Sequence, residues 1–289
     1  MEIVPTGAAL GARVTGIGLA APLDSATVDG LLQALGRFGV LCFPGQALDP
    51  AALKAFSGRF GSLEINVAAV GQIADAPEVM VLSNRVEDGK PVGLGDAGQG
   101  WHTDMSYSAE VALATVLHAR QVPHDDAGAP LGNTEFADMH AAYDALPADV
   151  KARLDGATAT HDFEKFWEMM RARPGSRRAP LSAEQRRRKP PVSHPLCPVH
   201  PVTGRRVLYA DPGYVTQIDG LPRAESDEVL AMLFDHQQQP EFRYAHRWCE
   251  GDVLMWEYLG NIHNAVADYG DRPRYMLRCQ VMADRVGFG

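Results

Sequence analysis

The segment EFRYAHRWCEGDVLMWEYLGNIHNAVADYGDRPRYMLRCQVMA, residues 241–283, carries the clearest indication of the architecture. It contains four short runs with strand character, EFRYAHRW, DVLMWEY, NIHNAVADY and RYMLRCQVMA, which Gly-Asp and Asp-Arg-Pro turn signals separate. Strands grouped in this way, without a helix between each pair, are typical of antiparallel sheets. We therefore predict a sandwich or barrel of antiparallel strands with helices packed outside it.

Helices and further strands are predicted in the remainder of the chain. Apolar residues recur at helical spacing in SATVDGLLQALGRFG, residues 25–39, where we predict Ser25 as the N-cap. Further helices are predicted at 51–61, at 138–154 with a break at Pro147, and at 225–237. Strands are predicted at 40–45 and 78–84, and the glycine-rich residues 85–100 are predicted to form a loop. Residues 111–122 could form a strand or a helix, and their β-branched content favours a strand.

The composition limits the class of protein. Of the 289 residues, 46% are hydrophobic and 22% are charged, which is ordinary for a globular protein and argues against disorder. The formal net charge of −9 argues against a nucleic-acid binder, because phosphate contacts require a basic face. No membrane-spanning run or leader is recognised, so we expect a cytoplasmic protein without a membrane partner. The four separated cysteines predict reduced thiols.

A strongly basic segment, RARPGSRRAPLSAEQRRRK, occupies residues 171–189 and contains eight basic residues and one acid. We predict that it is a mobile surface insertion in a single domain that comprises residues 1–289. The functional alternatives are a lid that draws anions toward a nearby site and a contact to an acidic patch of another subunit. Nucleic-acid binding ranks third, because no aromatic residues interleave with the arginines.

The motif WHTDMSY, residues 101–107, contains the best candidates for chemistry. His102 and Asp104 are two residues apart, so on an extended backbone both side chains leave the same face and can chelate one ion. A lone His-x-Asp is weak, and His263 in the strand-rich region is the best candidate for a third ligand. Two histidines and one carboxylate with open positions are the ligand set of non-haem Fe(II) oxygenases. These three residues are called the metal triad below.

Two arginines follow the metal triad in sequence. Arg274 and Arg278 are predicted to share one face of the last strand. Arginines directed into an apolar barrel are costly unless anions meet them, so a bound dicarboxylate is the simplest explanation of this pair.

The chain resembles the taurine / chlorophenoxyacetate family of Fe(II)- and 2-oxoglutarate-dependent dioxygenases over nearly its whole length. The similarity rests on WHTDMSY, GNTEFADMHAAYDALP (132–147), SHPLCPVHPVTGRRVLY (193–209) and GDVLMWEYLGNIH (251–263). It implies a mainly β fold with flanking helices, a double-stranded β-helix or jelly roll. It also implies an enzyme that uses Fe(II), O₂ and the co-substrate 2-oxoglutarate, and that releases succinate and CO₂.

The resemblance implies a role for individual residues as well. The metal triad would hold the iron, and Thr134 and Arg274 would bind the C5 carboxylate of 2-oxoglutarate. Arg278 would contact the anionic group of the primary substrate. Phe166 and Trp167, in HDFEKFW, would form part of the pocket wall. We therefore expect oxidation, by hydroxylation, of a small organic anion such as a carboxylate or sulfonate.

Some positions depart from the family pattern. Glu257-Tyr258-Leu259 stands where family members commonly have Asp-Asn-Arg, and Pro198-Val199 replaces a usual Arg-Thr. Asn133 replaces a usual aspartate, and residues 124–131 resemble an insertion. Since these changes fall at pocket and support positions, the resemblance carries over the cofactor chemistry and leaves the identity of the substrate open.

Several alternatives stay open at this point. The same cofactor chemistry can end in desaturation, epoxidation or isonitrile formation, because the outcome depends on how the substrate is placed. A non-catalytic metal-binding jelly-roll relative is a further alternative, against which the complete triad, Thr134 and both arginines argue. His161, Tyr107, Tyr214 and Tyr258 could line a pocket, although core packing explains each tyrosine equally well. A homo-oligomer is possible.

Overall fold

Two facing groups of antiparallel strands organise the computed structural model, which describes residues 1–65, 71–173, 176 and 178–284. The strands are β1 (Glu2–Pro5), β2 (Ala12–Thr15), β3 (Val40–Phe43), β4 (Gln72–Ile73), β5 (Ala76–Ser83), β6 (Val86–Glu87), β7 (Lys90–Pro91), β8 (Ala112–Gln121), β9 (Thr134–Asp138), β10 (Thr158–His161), β11 (Val192–Pro195), β12 (Val215–Ile218), β13 (Arg243–His246), β14 (Val253–Glu257), β15 (Asn261–Ala265) and β16 (Tyr275–Met282). The helices are α1 (Ser25–Phe38), α2 (Pro50–Ser57), α3 (Met139–Ala145), α4 (Ala148–Leu154), α5 (Phe163–Arg171), α6 (Ala183–Arg188) and α7 (Arg223–His236), with a 3₁₀ turn at Pro240–Phe242.

The larger sheet has eight strands in the order β1-β2-β3-β14-β8-β16-β5-β4. Its pairs are antiparallel except for β2 and β3, which run parallel. All five residues of β14 are buried, so the centre of the sheet is covered on both faces. Apolar side chains of α1 and α2 pack on one face, among them Leu31, Leu35 and Phe56, and Phe60 joins them from the turn after α2. These two helices therefore shield the sheet from the outside.

A smaller sheet, ordered β13-β9-β15, covers the other face. Phe136 of β9 packs edge-on against Trp256 of the larger sheet, with ring centroids 5.5 Å apart. Leu117 and Leu254 belong to the same buried cluster, which forms a core between the two sheets. A third sheet, β11-β10-β12, packs with α7 into a separate cluster at one side. The observed architecture confirms the predicted antiparallel sandwich with helices outside.

The structure confirms most of the predicted elements and differs at two details. The N-cap of α1 is Asp24 rather than Ser25, because the Asp24 side chain accepts a hydrogen bond from the Thr27 amide at 2.7 Å. The predicted loop 85–100 contains a hairpin of β6 and β7. Its two turn residues, Asp88 and Gly89, have φ values of 50° and 74°, and Asp-Gly is a favoured pair for such a turn. Within the described residues, no helix combines the length and apolarity needed to cross a membrane.

Candidate functional site

The three residues of the metal triad meet at one buried point between the sheets. His102 and His263 lie opposite each other in an isolated antiparallel bridge, with N–O distances of 3.0 Å and 2.8 Å. Side chains of directly opposed residues project to the same side of a sheet. One ligand atom from each of His102, Asp104 and His263 lies within 4.8 Å of the other two. The exposed fractions are only 2%, 9% and 4%.

A turn brings the Asp104 carboxylate to the two imidazoles. Residues 104–107 form this turn, in which Met105 has a φ of 60°, so the extended backbone predicted from the His-x-Asp spacing is wrong here. Between the two ligands, the Thr103 hydroxyl donates to the Tyr258 carbonyl at 2.5 Å and fixes the chain. Positive φ at a non-glycine residue is uncommon and is found more often at functional sites.

Both histidines can offer a ring nitrogen to a metal. His102 Nδ1 lies 2.7 Å from the Gly100 carbonyl, which can only accept, so Nδ1 carries the proton and Nε2 keeps its lone pair. Nε2 lies 3.6 Å from Asp104 Oδ1. Burial and the neighbouring His102 lower the pKa of His263 to about 3, which keeps the His263 ring neutral.

The Asp104 carboxylate remains charged although it is buried. Burial alone would raise its pKa, but the adjacent His102 side chain and the guanidinium of Arg278 outweigh that effect and hold the pKa well below its usual range. Arg278 Nη1 lies 3.8 Å from Asp104 Oδ2. The site thus presents two imidazole nitrogens and one anionic carboxylate oxygen, a donor set that suits Fe(II).

The position of His102 depends on a glycine behind it. A Cβ atom at Gly213 would lie 2.7 Å from the His102 Cβ, a distance too short for two carbon atoms. We expect Gly213→Ala to displace His102 and to weaken Fe(II) binding about tenfold or more. Anaerobic Fe(II) titration would measure the effect. Gly18→Ala is the matched control because no atom lies within 4 Å of that Cβ, and equal affinities of the two variants would contradict the expectation.

Arg274 is buried beside the triad strands with an unused donor. Its side chain is 8% exposed, and its Nε has no hydrogen-bond partner among the described residues. The Asn84 side chain accepts from the Arg274 amide at 2.9 Å, which fixes the backbone just before β16. The Tyr269 ring lies below the guanidinium at 5.8 Å. A buried, incompletely satisfied guanidinium fits a carboxylate ligand, which agrees with the predicted role in 2-oxoglutarate binding.

Thr134 begins strand β9 of the smaller sheet. It is 2% exposed, and its hydroxyl oxygen accepts from the Trp248 indole at 3.1 Å. The hydroxyl proton is therefore free to be donated to another oxygen. This arrangement is compatible with the predicted carboxylate contact of Thr134.

An aromatic wall adjoins the first ligand of the triad. The Phe166 ring centroid lies 4.8 Å from that of His102, and the Tyr214 centroid lies 6.1 Å from it. Tyr107 extends the wall, 4.8 Å from Tyr214. We call Tyr107, Phe166 and Tyr214 the aromatic wall. The structure thus places Phe166, and two of the tyrosines noted in the sequence, beside the metal triad.

Trp167 is directed away from the triad toward the basic segment. Its indole donates to the Ala179 carbonyl at 2.8 Å, and the Arg178 guanidinium lies 4.9 Å above its ring. Arg178 also forms a bidentate ion pair with Asp96, at 3.0 Å and 2.8 Å. Asp96 belongs to the loop that leads into His102, so the basic segment is attached to the neighbourhood of the site.

Further charges of the basic segment are neutralised locally. Arg186 pairs with Glu164 of α5 at 2.6 Å, and Arg187 and Arg188 pair with Glu184. These pairs leave less free positive charge than the sequence suggests. Pro174, Gly175 and Arg177 lie outside the described residues, and the predicted mobility of the segment stays a prediction.

Non-haem Fe(II) oxygenases bind their metal through two histidines and one carboxylate. This chain holds such a set, buried between facing β-sheets, so the site has the ligands of that class. The model of the family described as "Taurine catabolism dioxygenase TauD, TfdA family" matches residues 2–280. The chain therefore belongs to this family, and it is an Fe(II)- and 2-oxoglutarate-dependent dioxygenase.

Individual relatives support this assignment. The chain is 34% identical over 284 residues to pentalenolactone F synthase of Streptomyces avermitilis, which covers 94% of this chain and 90% of that protein. It is 33% identical to (S)-phenoxypropionate/alpha-ketoglutarate-dioxygenase of Sphingobium herbicidovorans, with 98% and 95% covered. The structure of AAD-2 in complex with Mn(II) and N-oxalylglycine superimposes with a TM-score of 0.81 at 28% identity, over 97% of this chain and 98% of that chain. The predicted jelly-roll fold and cofactors are confirmed.

Sequence reasoning did not single out two polar residues next to the triad. Thr115 of β8 and Gln280 of β16 are register partners and are both buried. Each interrupts an otherwise apolar run, and a buried polar residue in such a run requires a hydrogen-bond partner. A polar residue within an apolar run was therefore the available sign of a buried hydrogen bond, but the sequence does not identify the hydrogen-bond partner.

Proposed function

We propose that this dioxygenase hydroxylates a small organic anion with an apolar or aromatic body. In this proposal His102, Asp104 and His263 hold the iron, while Arg274 and Thr134 bind the distal carboxylate of 2-oxoglutarate. When bound, iron, 2-oxoglutarate and O₂ together supply the oxidising chemistry, and the co-substrate leaves as succinate and CO₂. The residues of the chain bind and orient the reactants.

The observation that carries the substrate proposal is the position of Arg278. Its side chain is 12% exposed, its Nε has no hydrogen-bond partner among the described residues, and its Nη1 lies 3.8 Å from Asp104. A partly desolvated guanidinium recognises a carboxylate or sulfonate strongly. The aromatic wall lies beside His102 and offers an apolar surface for the carbon skeleton.

The named relatives support an anionic substrate. The Sphingobium enzyme is named for (S)-phenoxypropionate, whose carboxylate and aromatic ring match the two surfaces described here. The basic segment contributes Arg178 and Lys189, which lie over Trp167 and Tyr107 at 4.9 Å and 5.4 Å. We propose that this segment covers the pocket mouth.

The test of the proposed function is a screen for substrate-stimulated succinate release. The protein is loaded anaerobically with Fe(II) and 2-oxoglutarate, exposed to O₂, and offered carboxylates, sulfonates and neutral isosteres of the same carbon skeletons. We expect anions to stimulate succinate formation and to yield a hydroxylated product. Preference for the neutral isosteres would contradict the anionic proposal, and a product without added oxygen would contradict hydroxylation.

Arg278→Gln tests the anion contact directly. We expect the variant to lose most of its preference for anions over neutral isosteres, by about tenfold or more, because glutamine is neutral and makes no bidentate ionic contact. Competition between paired substrates measures the preference. Arg272→Gln is the matched control, since Arg272 is half-exposed and pairs with Asp126 at 2.7 Å. An Arg278→Gln enzyme with the wild-type preference would remove Arg278 from substrate recognition.

A further inference from the structure

A closed ring of polar contacts joins the metal ligand to the arginine proposed to bind substrate. The Thr115 hydroxyl donates to Asp104 Oδ2 at 3.3 Å and lies 2.5 Å from the Tyr258 hydroxyl. Gln280 Nε2 donates to that Tyr258 hydroxyl at 3.2 Å. Arg278 Nη2 donates to Gln280 Oε1 at 3.2 Å, and its Nη1 faces Asp104 again. We call these five residues the polar ring.

The four hydrogen bonds of the polar ring run in one direction, from Arg278 through Gln280, Tyr258 and Thr115 to Asp104. A guanidinium can only donate, so the Gln280 oxygen must face Arg278 and its NH₂ group must face Tyr258. The single proton of Thr115 goes to the Asp104 carboxylate, so the hydrogen bond between Tyr258 and Thr115 must be donated by Tyr258. Hydrogen bonds aligned in this way polarise one another and strengthen the last bond, which here ends on a charged carboxylate.

The side chains of the polar ring are buried, so the loss of one hydrogen bond would leave a polar group without a partner. Tyr258 and Thr115 are 1% and 0% exposed, and Gln280 is 8% exposed, so water does not replace a lost partner easily. Tyr258 is also one of the positions at which this chain departs from the family's common Asp-Asn-Arg. The hydroxyl that closes the ring is thus a feature of this sequence.

We propose that Tyr258, Thr115 and Gln280 are positioning residues, which hold the carboxylate of the metal ligand and the guanidinium of Arg278 in a fixed relation. The ring holds Oδ2 of Asp104, which lies 3.9 Å from His263 Nε2, while Oδ1 faces His102 Nε2 at 3.6 Å. The same hydrogen-bonded residues then position both the metal ligand and the arginine that is proposed to bind the substrate. This inference rests on the proposed roles of Asp104 and Arg278.

Removal of single hydroxyl groups tests the proposal. We expect Tyr258→Phe and Thr115→Val to weaken Fe(II) binding about tenfold and to shift the charge-transfer band formed with 2-oxoglutarate, as changes in the support of metal ligands do. Thr115→Ser keeps the hydroxyl and should bind Fe(II) within about twofold of wild type. Because the two groups act in series, Tyr258→Phe combined with Thr115→Val should lose little more than either alone.

The readouts separate a positioning role from a merely structural one. Anaerobic titration gives the Fe(II) affinity, the absorption spectrum gives the band position, and thermal unfolding of each variant reports the fold. Tyr244→Phe is the matched control, because it removes another tyrosine hydroxyl that hydrogen-bonds a side chain, His246, at 3.2 Å. It should leave both the affinity and the band unchanged.

The outcomes distinguish this inference from the proposed function. If wild type forms the band while Tyr258→Phe and Thr115→Val match it in affinity and band position, the positioning role is overturned and the iron assignment stands. Fully additive losses in the double variant would overturn the serial arrangement. If wild type itself forms no band with Fe(II) and 2-oxoglutarate, the proposed metal site fails, and the inference fails with it. If Tyr258→Phe does not fold, the Thr115→Val and Thr115→Ser pair still decides the matter.

Discussion

Asp104→Ala is expected to abolish succinate formation and the charge-transfer band that wild type forms with Fe(II) and 2-oxoglutarate. Asp104 supplies the anionic ligand of the metal triad, so its loss removes the strongest electrostatic attraction for Fe(II). It also leaves the Arg278 guanidinium close to the two imidazoles without its counter-charge. Since changing only the groups behind a ligand costs 10- to 100-fold in metal affinity, we expect a loss of more than about 100-fold here.

Two companion variants make this result specific. Asp104→Asn keeps the size of the side chain and removes the charge, and it should fail nearly as completely as alanine. Asp211→Asn is the matched control: Asp211 is also buried, burial raises its pKa to about 6, and it accepts from Ser106 and the Tyr214 amide instead of joining the triad. Anaerobic titration and thermal unfolding are measured for all three. An unchanged band in Asp104→Ala would remove Asp104 from the metal site.

Arg274→Ala is expected to weaken 2-oxoglutarate binding by about tenfold to a hundredfold, while Fe(II) binding alone stays close to wild type. A hydrogen bond to a charged group contributes about 1.5–3 kcal/mol, and Arg274 is only 8% exposed, so water screens it little. Titration of the Fe(II) protein with 2-oxoglutarate separates the two affinities. The Fe(II) affinity should stay close to wild type because Arg274 does not belong to the metal triad.

The size and shape of the cation should matter as well as its charge. Arg274→Lys should recover only part of the affinity, because an ammonium cannot reproduce a bidentate contact to a carboxylate. Arg272→Ala, two residues away and half-exposed, should bind 2-oxoglutarate as wild type does. Equal 2-oxoglutarate affinities of Arg274→Ala and wild type would show that another residue binds the co-substrate.

The sequence predicts the architecture and the triad because both depend on local patterns. Strand-like runs after residue 241 predicted four strands, and β13 to β16 lie within them. WHTDMSY and the last histidine supplied ligand types with a recognisable spacing. The pairing of His102 with His263, by contrast, depends on strand register between distant segments, which single-sequence patterns do not contain.

The rest of the site depends on side-chain directions that the sequence does not specify. Phe166 and Trp167 are neighbours on α5, so their side chains leave the helix about 100° apart, and only Phe166 reaches His102. The polar ring joins residues from the turn after His102, from β8, from β16 and from the position directly after β14. Such a network requires the register of three adjacent strands, which only the folded chain defines.

The order of strands in the larger sheet has a consequence for how the chain folds. β14 lies between β3 and β8, and β16 lies between β8 and β5, so the centre of the sheet is built from strands far apart in sequence. Non-local pairing of this kind slows folding, because the chain loses conformational entropy in closing long loops before the stabilising contacts form. While the ribosome is still translating the region before residue 253, β3 and β5 each lack one hydrogen-bonding neighbour and β8 lacks both. Their apolar edges are then open to association with other chains, so the yield of folded enzyme in a cell depends on protection during that interval.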